Sequence, residues 1–201
     1  MGKLIAVIGP SGIGKTTLVR VLAQKGGFAT ALEQHDERPF QALFKQDPRY
    51  GLANQIDFFL LRASQERALR ASSQTGLIDG GLDLDFHGFT RLFYQRELLS
   101  EHEFELCHRL YAMLRASLPE PELFIRLRAD QRTVTSRISM RTRINIASME
   151  DFTLFDALLD EWLEVLDADH FFEVNVTEDD QLYSHLVPRI LAGIEERFGK
   201  I

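Results

Sequence analysis

An apolar pentapeptide that runs straight into a glycine loop constrains this chain more than any other stretch: Leu4-Ile5-Ala6-Val7-Ile8, then Gly9-Pro10-Ser11-Gly12-Ile13-Gly14-Lys15-Thr16. A short apolar run ending at glycine reads as a buried strand. The glycines let the backbone turn so that successive N–H groups converge on one point, which suits phosphate oxygens. Lys15 adds a point charge for the β- and γ-phosphates, and the Thr16 hydroxyl can ligate Mg²⁺. A helix opening at Lys15 aims its positive end at the same anion. Gly9, Pro10, Ser11, Gly12, Ile13, Gly14, Lys15, Thr16 and Thr17 are therefore the candidate triphosphate site, with ATP or another nucleoside triphosphate as ligand.

The remaining pattern alternates strands with helices. Helix is expected over residues 15–24, strand over 28–32, helix over 52–72 and strand over 76–79. Helices over 85–99 and 101–117 follow, with Ser100 placed to cap the second. Strand 123–127, helix 130–140, helix 150–166, strand 171–176 and a closing helix 179–198 complete the pass. Such alternation predicts an α/β fold, with a five-stranded parallel sheet covered by helices on both faces. With the phosphate loop at its first turn, this is the P-loop NTPase fold. No composition shift marks a second domain, so residues 1–201 read as one domain with an arginine-rich lid at about 130–148.

Composition excludes several functions. The net charge of −7 argues against nucleic acid, whose binding needs many cation–phosphate contacts. The single cysteine, Cys107, excludes an internal disulfide and fits a reducing compartment. The opening apolar run is far too short to span a bilayer, and no signal peptide precedes it. A cytoplasmic protein without membrane association is expected.

Three groups of residues carry candidate chemistry. Glu33 follows the second strand, and ligands bind at the carboxyl ends of strands in such sheets, so it can accept a proton from an attacking hydroxyl. Asp79 ends the third strand and has the form of a Walker-B acid near Mg²⁺. The helix from Leu52 is apolar almost all round (Ile56, Phe58, Phe59, Leu60, Leu61), yet it contains Gln55 and Arg62, two turns apart on one side. A buried arginine needs a partner, and Asp85 is the candidate. An amide, a guanidinium and a carboxylate on one apolar wall suit a nucleobase edge; an interhelical salt bridge beside an exposed glutamine is the alternative. Arg137, Arg141 and Arg143 are the third group: they can close over a transferring phosphoryl group, or form an ordinary solvated basic face. Trp162 reads as core.

Taken together these residues resemble the deoxynucleoside kinases, in particular the bacterial deoxyadenosine/deoxyguanosine kinase branch. The resemblance runs over nearly the whole chain. It includes the phosphate loop, Gln55-Ile56-Asp57-Phe58-Phe59-Leu60-Leu61-Arg62, the stretch from Asp79 to Leu114, and Arg137-Ile138-Ser139-Met140-Arg141-Thr142-Arg143. It implies Glu33 as catalytic base and Gln55, Arg62 and Asp85 as base-reading residues beside Phe59. It also implies Arg137, Arg141 and Arg143 as lid arginines, Asp79 near Mg²⁺, and a homodimer built through helices. Three positions depart from the pattern. Asp79-Gly80-Gly81 stands where an acid-Arg-Ser triplet is usual, Lys45 replaces a tyrosine that helps hold the sugar, and Ile146 replaces a glutamate after the lid.

The resemblance implies ATP-dependent phosphorylation of a nucleoside 5′-hydroxyl, with a purine deoxynucleoside as acceptor. Two other readings remain open at this stage: a nucleotide-binding partner subunit with a degenerate acceptor site, and a kinase of another small alcohol or a nucleoside monophosphate.

Overall fold

The computed structural model describes residues 2–31, 38–139, 151–177 and 182–199. Five parallel strands form one sheet: β1 (Leu4–Ile8), β2 (Ala29–Ala31), β3 (Gly76–Asp79), β4 (Leu123–Arg128) and β5 (Phe171–Asn175), in the order β2-β3-β1-β4-β5. β1 is central and wholly buried, as its uninterrupted apolar sequence requires. It pairs with β3 in the register Val7↔Asp79 and with β4 in the register Ile8↔Arg126. The β1–β4 pairing begins where Glu122 donates its backbone N–H to the Leu4 carbonyl at 2.9 Å, while its carboxylate accepts the Leu4 N–H at 2.7 Å.

One face of the sheet is covered by α3 (Gly51–Arg70), α5 (Glu101–Ser117) and α7 (Asp151–Leu163), around Phe59, Phe86, Phe93, Cys107, Phe124, Phe155 and Trp162. The other carries α1 (Lys15–Gly26), α6 (Gln131–Ser139) and α8 (Leu186–Phe198), around Val7, Leu18, Leu22, Val134, Ile190 and Ile194. α8 buries Val187, Ile190 and Ile194, the spacing of a single apolar stripe. Two shorter helices, α2 (Pro39–Gln46) and α4 (Arg91–Gln95), flank α3 and α5. Arg126 and Arg128, on one face of β4, pin α7: Arg126 donates to Asp160 at 2.5 Å and to Asp156 at 2.8 Å, and Arg128 donates to Asp156 at 3.0 Å.

The α/β fold with its five-stranded parallel sheet agrees with the sequence reading, and so does the Ser100 cap: its hydroxyl accepts from the Glu103 N–H while Glu103 bonds back to the Ser100 backbone. Two elements differ. The helix expected over 85–99 is instead a wide π turn, Leu84–Thr90, followed by α4 and a left-handed residue, Glu97. A Cβ on Gly88 would lie 2.5 Å from the Phe155 ring, so the backbone there runs against α7. The last helix begins at Leu186 rather than 179. Pro188 explains this, because proline is tolerated in a first turn and breaks a helix interior.

Candidate phosphate and acceptor site

The carboxyl end of β1 delivers the glycine loop to the edge of the sheet. Gly9, Gly12 and Gly14 have φ of 143°, 83° and 113°, values that favour glycine. A Cβ on Gly14 would sit 1.8 Å from the Tyr183 hydroxyl. Lys15 Nζ donates to the carbonyls of Gly9 at 2.8 Å and Pro10 at 2.9 Å, which holds its charge over the loop. Ser11, Thr16 and Thr17 are half-buried around it. The Thr16 hydroxyl donates to the Asp79 carboxylate, so the hydroxyl of the loop and the acid ending β3 share one position. Hydroxyl and carboxylate oxygens are the donor set that suits Mg²⁺, which keeps most of its other positions for water and phosphate.

Arg137 reaches this loop from α6. Its guanidinium donates to the Ile13 carbonyl at 2.6 Å and to the Val176 carbonyl at 2.9 Å, bridging the loop to the end of β5. Tyr183, buried and left-handed at φ 52°, places its hydroxyl 3.4 Å from the Ile13 and Gly14 carbonyls. Tyr183 went unnoticed in the sequence, where it lay inside an expected helix. Glu33, Arg141 and Arg143 lie outside the described residues, as does Ile146.

On the opposite side of β3, α3 and the π turn bring together the other candidates. Arg62 Nε donates to Asp85 at 3.0 Å and its Nη1 donates to Gln65 at 3.1 Å. Gln55 donates to the Thr90 hydroxyl at 2.7 Å. Gln55, Arg62 and Asp85 are each at least 95% buried, so the exposed-glutamine alternative does not hold, whereas the Arg62–Asp85 ion pair does. Phe59 is fully buried in the core, 6.5 Å from Phe86 between ring centres. Lys45 is half-buried on α2.

Gly80 and Gly81 link this region to Asp79 with φ of 88° and 105°. A Cβ on Gly80 would lie 3.4 Å from an Arg62 guanidinium nitrogen. A side chain there would be strained at this φ, a conformation that favours glycine.

The helical turn that opens after Gly81 is held by a buried ionic network absent from the sequence reading. Arg115 on α5 donates to Glu66 at 2.8 and 2.9 Å and to Asp83 at 2.9 Å through two nitrogens. Glu66 also accepts the Leu82 N–H, and Tyr111 donates to Asp83 at 2.8 Å. Burial pushes Asp83 up to about 6 even though Arg115 works the other way. Burial, then the charge of Arg91, pushes His87 down to about 3, so it is neutral, stacked on Trp162 with ring centres 4.7 Å apart. No local pattern announces this network, because Glu66 and Arg115 are 49 positions apart. Arg38 was missed in the same way. It stands at the N-cap position of α2 and donates to both oxygens of Asp57 at 2.5 Å, and that hydrogen bonding raises its already high pKa.

Comparison with known proteins adds to this geometry. Residues 5–175 match the family model described as deoxynucleoside kinase. The chain is 31% identical over 140 residues to a deoxyguanosine kinase of Bacillus subtilis, a match spanning 69% of this chain and 67% of that protein. It is 27% identical over 143 residues to a deoxyadenosine/deoxycytidine kinase of the same organism, spanning 70% and 66%. Its fold superposes on that of a deoxyadenosine kinase from M. mycoides solved with dCMP and dCDP, with a TM-score of 0.81 and 22% identity over 96% of this chain and 99% of that one. The same kinase solved with dATP gives 0.80 at 21% identity over 95% and 98%.

Proposed function

The chain belongs to the deoxynucleoside kinase family, and from that premise we propose that it transfers the γ-phosphoryl group of ATP to the 5′-hydroxyl of a deoxynucleoside, a purine one by preference. The observation that most supports this reading is the convergence of Lys15, the Thr16–Asp79 pair and Arg137 on one glycine loop. Purine preference is supported by the likeness to deoxyguanosine kinase.

In this reading residues 1–201 form one P-loop kinase domain with a lid at about 130–148. The loop N–H groups and Lys15 hold the triphosphate, with Thr17 at the start of the helix behind them. Gln55, Arg62 and Asp85 meet the base edge against Phe59, and Lys45 lies toward the sugar. Glu33 takes the proton of the 5′-hydroxyl as it attacks, and Arg137, Arg141 and Arg143 offset the charge that spreads over the phosphoryl oxygens. Thr16 and Asp79 would hold Mg²⁺, which when bound neutralises charge on the phosphates.

A homodimer formed through helices is part of the proposal. Its support is the exposed apolar side chains on two packed helices, Leu60 of α3 (56%) and Leu106 and Met113 of α5 (41% and 62%). Sedimentation velocity measures it directly. A cytoplasmic setting is supported by the single buried cysteine, and among the described residues no helix is long and apolar enough to cross a membrane.

The test is phosphoryl transfer from radiolabelled ATP to a panel of deoxynucleosides and ribonucleosides. Product from at least one deoxynucleoside is expected. Glu33→Gln is expected to lower turnover by roughly 10²–10⁴ with little change in ATP affinity. Folded protein that binds ATP but transfers to no nucleoside sinks the proposal. That outcome would favour the second reading, a nucleotide-binding partner subunit, to which the side-chain-free Gly80–Gly81 turn lends some support.

A further inference from the structure

Thr90 ends the π turn with its side chain fully buried, and it sits between two of the residues proposed to read the base. Its hydroxyl donates to the Asp85 carbonyl at 2.9 Å, and its oxygen accepts from Gln55 Nε2 at 2.7 Å. An α-helix would direct such a hydroxyl at the carbonyl three or four residues back. The wider turn directs it five back, onto the residue whose carboxylate pairs with Arg62.

A hydroxyl has one hydrogen. Because that of Thr90 is committed to Asp85, its oxygen can only accept, and the Gln55 amide must face it nitrogen first. Asn54 completes the chain on the other side, with its Nδ2 3.4 Å from Gln55 Oε1. Donation therefore runs one way through Asn54, Gln55, Thr90 and the Asp85 carbonyl. Turning the amide over would set its carbonyl oxygen against an oxygen with no hydrogen to give, unless Thr90 abandoned the buried carbonyl.

The orientation matters because an amide reads two kinds of base edge according to which way it faces. Adenine and cytosine present an amino donor beside a ring-nitrogen acceptor. Guanine and thymine present a carbonyl acceptor beside a ring N–H donor. Turning the amide exchanges the two patterns.

We propose that Thr90 is a specificity-determining positioning residue: its hydroxyl locks the Gln55 amide in one orientation, so the acceptor site takes either amino-edge or oxo-edge nucleosides well, and not both. This rests on the function proposed above, with Gln55 at the base. Nothing in the roles given to Glu33, Lys15 or the arginines involves Thr90.

The experiment measures kcat and KM for deoxyadenosine against deoxyguanosine, and for deoxycytidine against thymidine, so that each comparison holds ring size constant. It uses the wild-type protein, Thr90→Val, which keeps the shape and loses the hydroxyl, and Thr90→Ser, which keeps the hydroxyl. The wild type is expected to favour one edge class in both comparisons. Thr90→Val is expected to shrink that preference about tenfold, the worth of one buried hydrogen bond, mainly through KM. Thr90→Ser is expected to retain it. Thr90→Ala replaces the valine variant if ATP does not raise the melting temperature of Thr90→Val as it does that of the wild type. The inference is overturned if the wild type takes both edge classes equally, if loss of the hydroxyl leaves the ratio unchanged, or if serine fails as valine does, which would mark a packing role. A wild type that ATP stabilises, but that neither binds nor phosphorylates any deoxynucleoside, removes the proposed function and this inference with it. An active wild type whose preference ignores Thr90 removes the inference alone.

Discussion

Replacing Arg115 with methionine tests whether the helical turn leading to Asp85 is held by the ionic network beneath it. Methionine keeps most of the apolar stem and removes the guanidinium. Glu66 and Asp83 side chains are only 0% and 2% exposed, and Arg115 is 9% exposed, so water cannot take over the lost contacts. Leaving one partner of such a buried pair uncompensated costs roughly 3–5 kcal/mol. That is a large part of the roughly 5–15 kcal/mol that holds a typical domain folded. The cost depends on pH, with a definite sign. Asp83 has a folded pKa of about 6 against an ordinary 3.8, so its contribution is fully present below the ordinary value and is lost as pH rises through the folded one. Arg115 pulls that value down, and removing it moves the folded value higher. The deficit of Arg115→Met is therefore expected to be largest near about pH 8 and to shrink toward about pH 5, where the carboxyl group is protonated. Urea unfolding at both pH values reads this as a shift in midpoint with little change in slope. Adding Glu66→Gln and Asp83→Asn to the arginine variant is expected to recover about 1–2 kcal/mol at the higher pH, because no buried charge is then stranded. A deficit below about 1 kcal/mol at pH 8, or the same deficit at both pH values, refutes the reasoning.

Three further outcomes follow from the geometry. Gly80→Arg is expected to cost about 1–2 kcal/mol in thermal or urea unfolding, because φ is +88° and Arg62 is adjacent; unchanged stability with faster turnover would contradict this. His87→Gln is expected to flatten the acid side of the stability profile: the folded pKa of about 3 lies below the ordinary 6.5, so the unfolded chain takes up the proton and the wild type loses about 1.4 kcal/mol per pH unit below that value. Parallel profiles for the two proteins would rule that out. Thr16→Val is expected to weaken ATP binding, measured by calorimetry, much more with Mg²⁺ present than with EDTA, and an equal loss in both would count against Thr16 as a ligand for Mg²⁺.

Local signals made the phosphate end readable. Glycines at fixed spacing, a lysine and a threonine carry their geometry within eight consecutive residues, and β1 ahead of them is apolar throughout. The structure joins Thr16 to Asp79 as the strand-end position of that acid implies. The Arg62–Asp85 pair was also readable, because an arginine on an apolar helix needs a partner and Asp85 stands at the start of the next expected helix. Proline at 188 was a signal passed over, and reading it would have started α8 correctly.

Other features had no local sign. At the π turn Gly88 lies against the Phe155 ring, and nothing in residues 84–90 reveals which helix packs there. Arg115, Glu66, Asp83 and Tyr111 meet across distances in sequence that no periodicity spans. Tyr183 reaches the glycine loop only because the chain turns left-handed there and places a buried hydroxyl beside Gly14.

By itself, then, the sequence determined the order of strands and helices and the glycine loop proposed to hold a triphosphate, since both follow from periodicity and from backbone freedom at consecutive residues. Tertiary structure alone decided how the proposed acceptor side is set. The amide of Gln55, the hydroxyl of Thr90 and the helical turn on Arg115 take their positions from donors and acceptors that become neighbours only when α3, α5 and the π turn pack together, and burial then obliges each to find its partner.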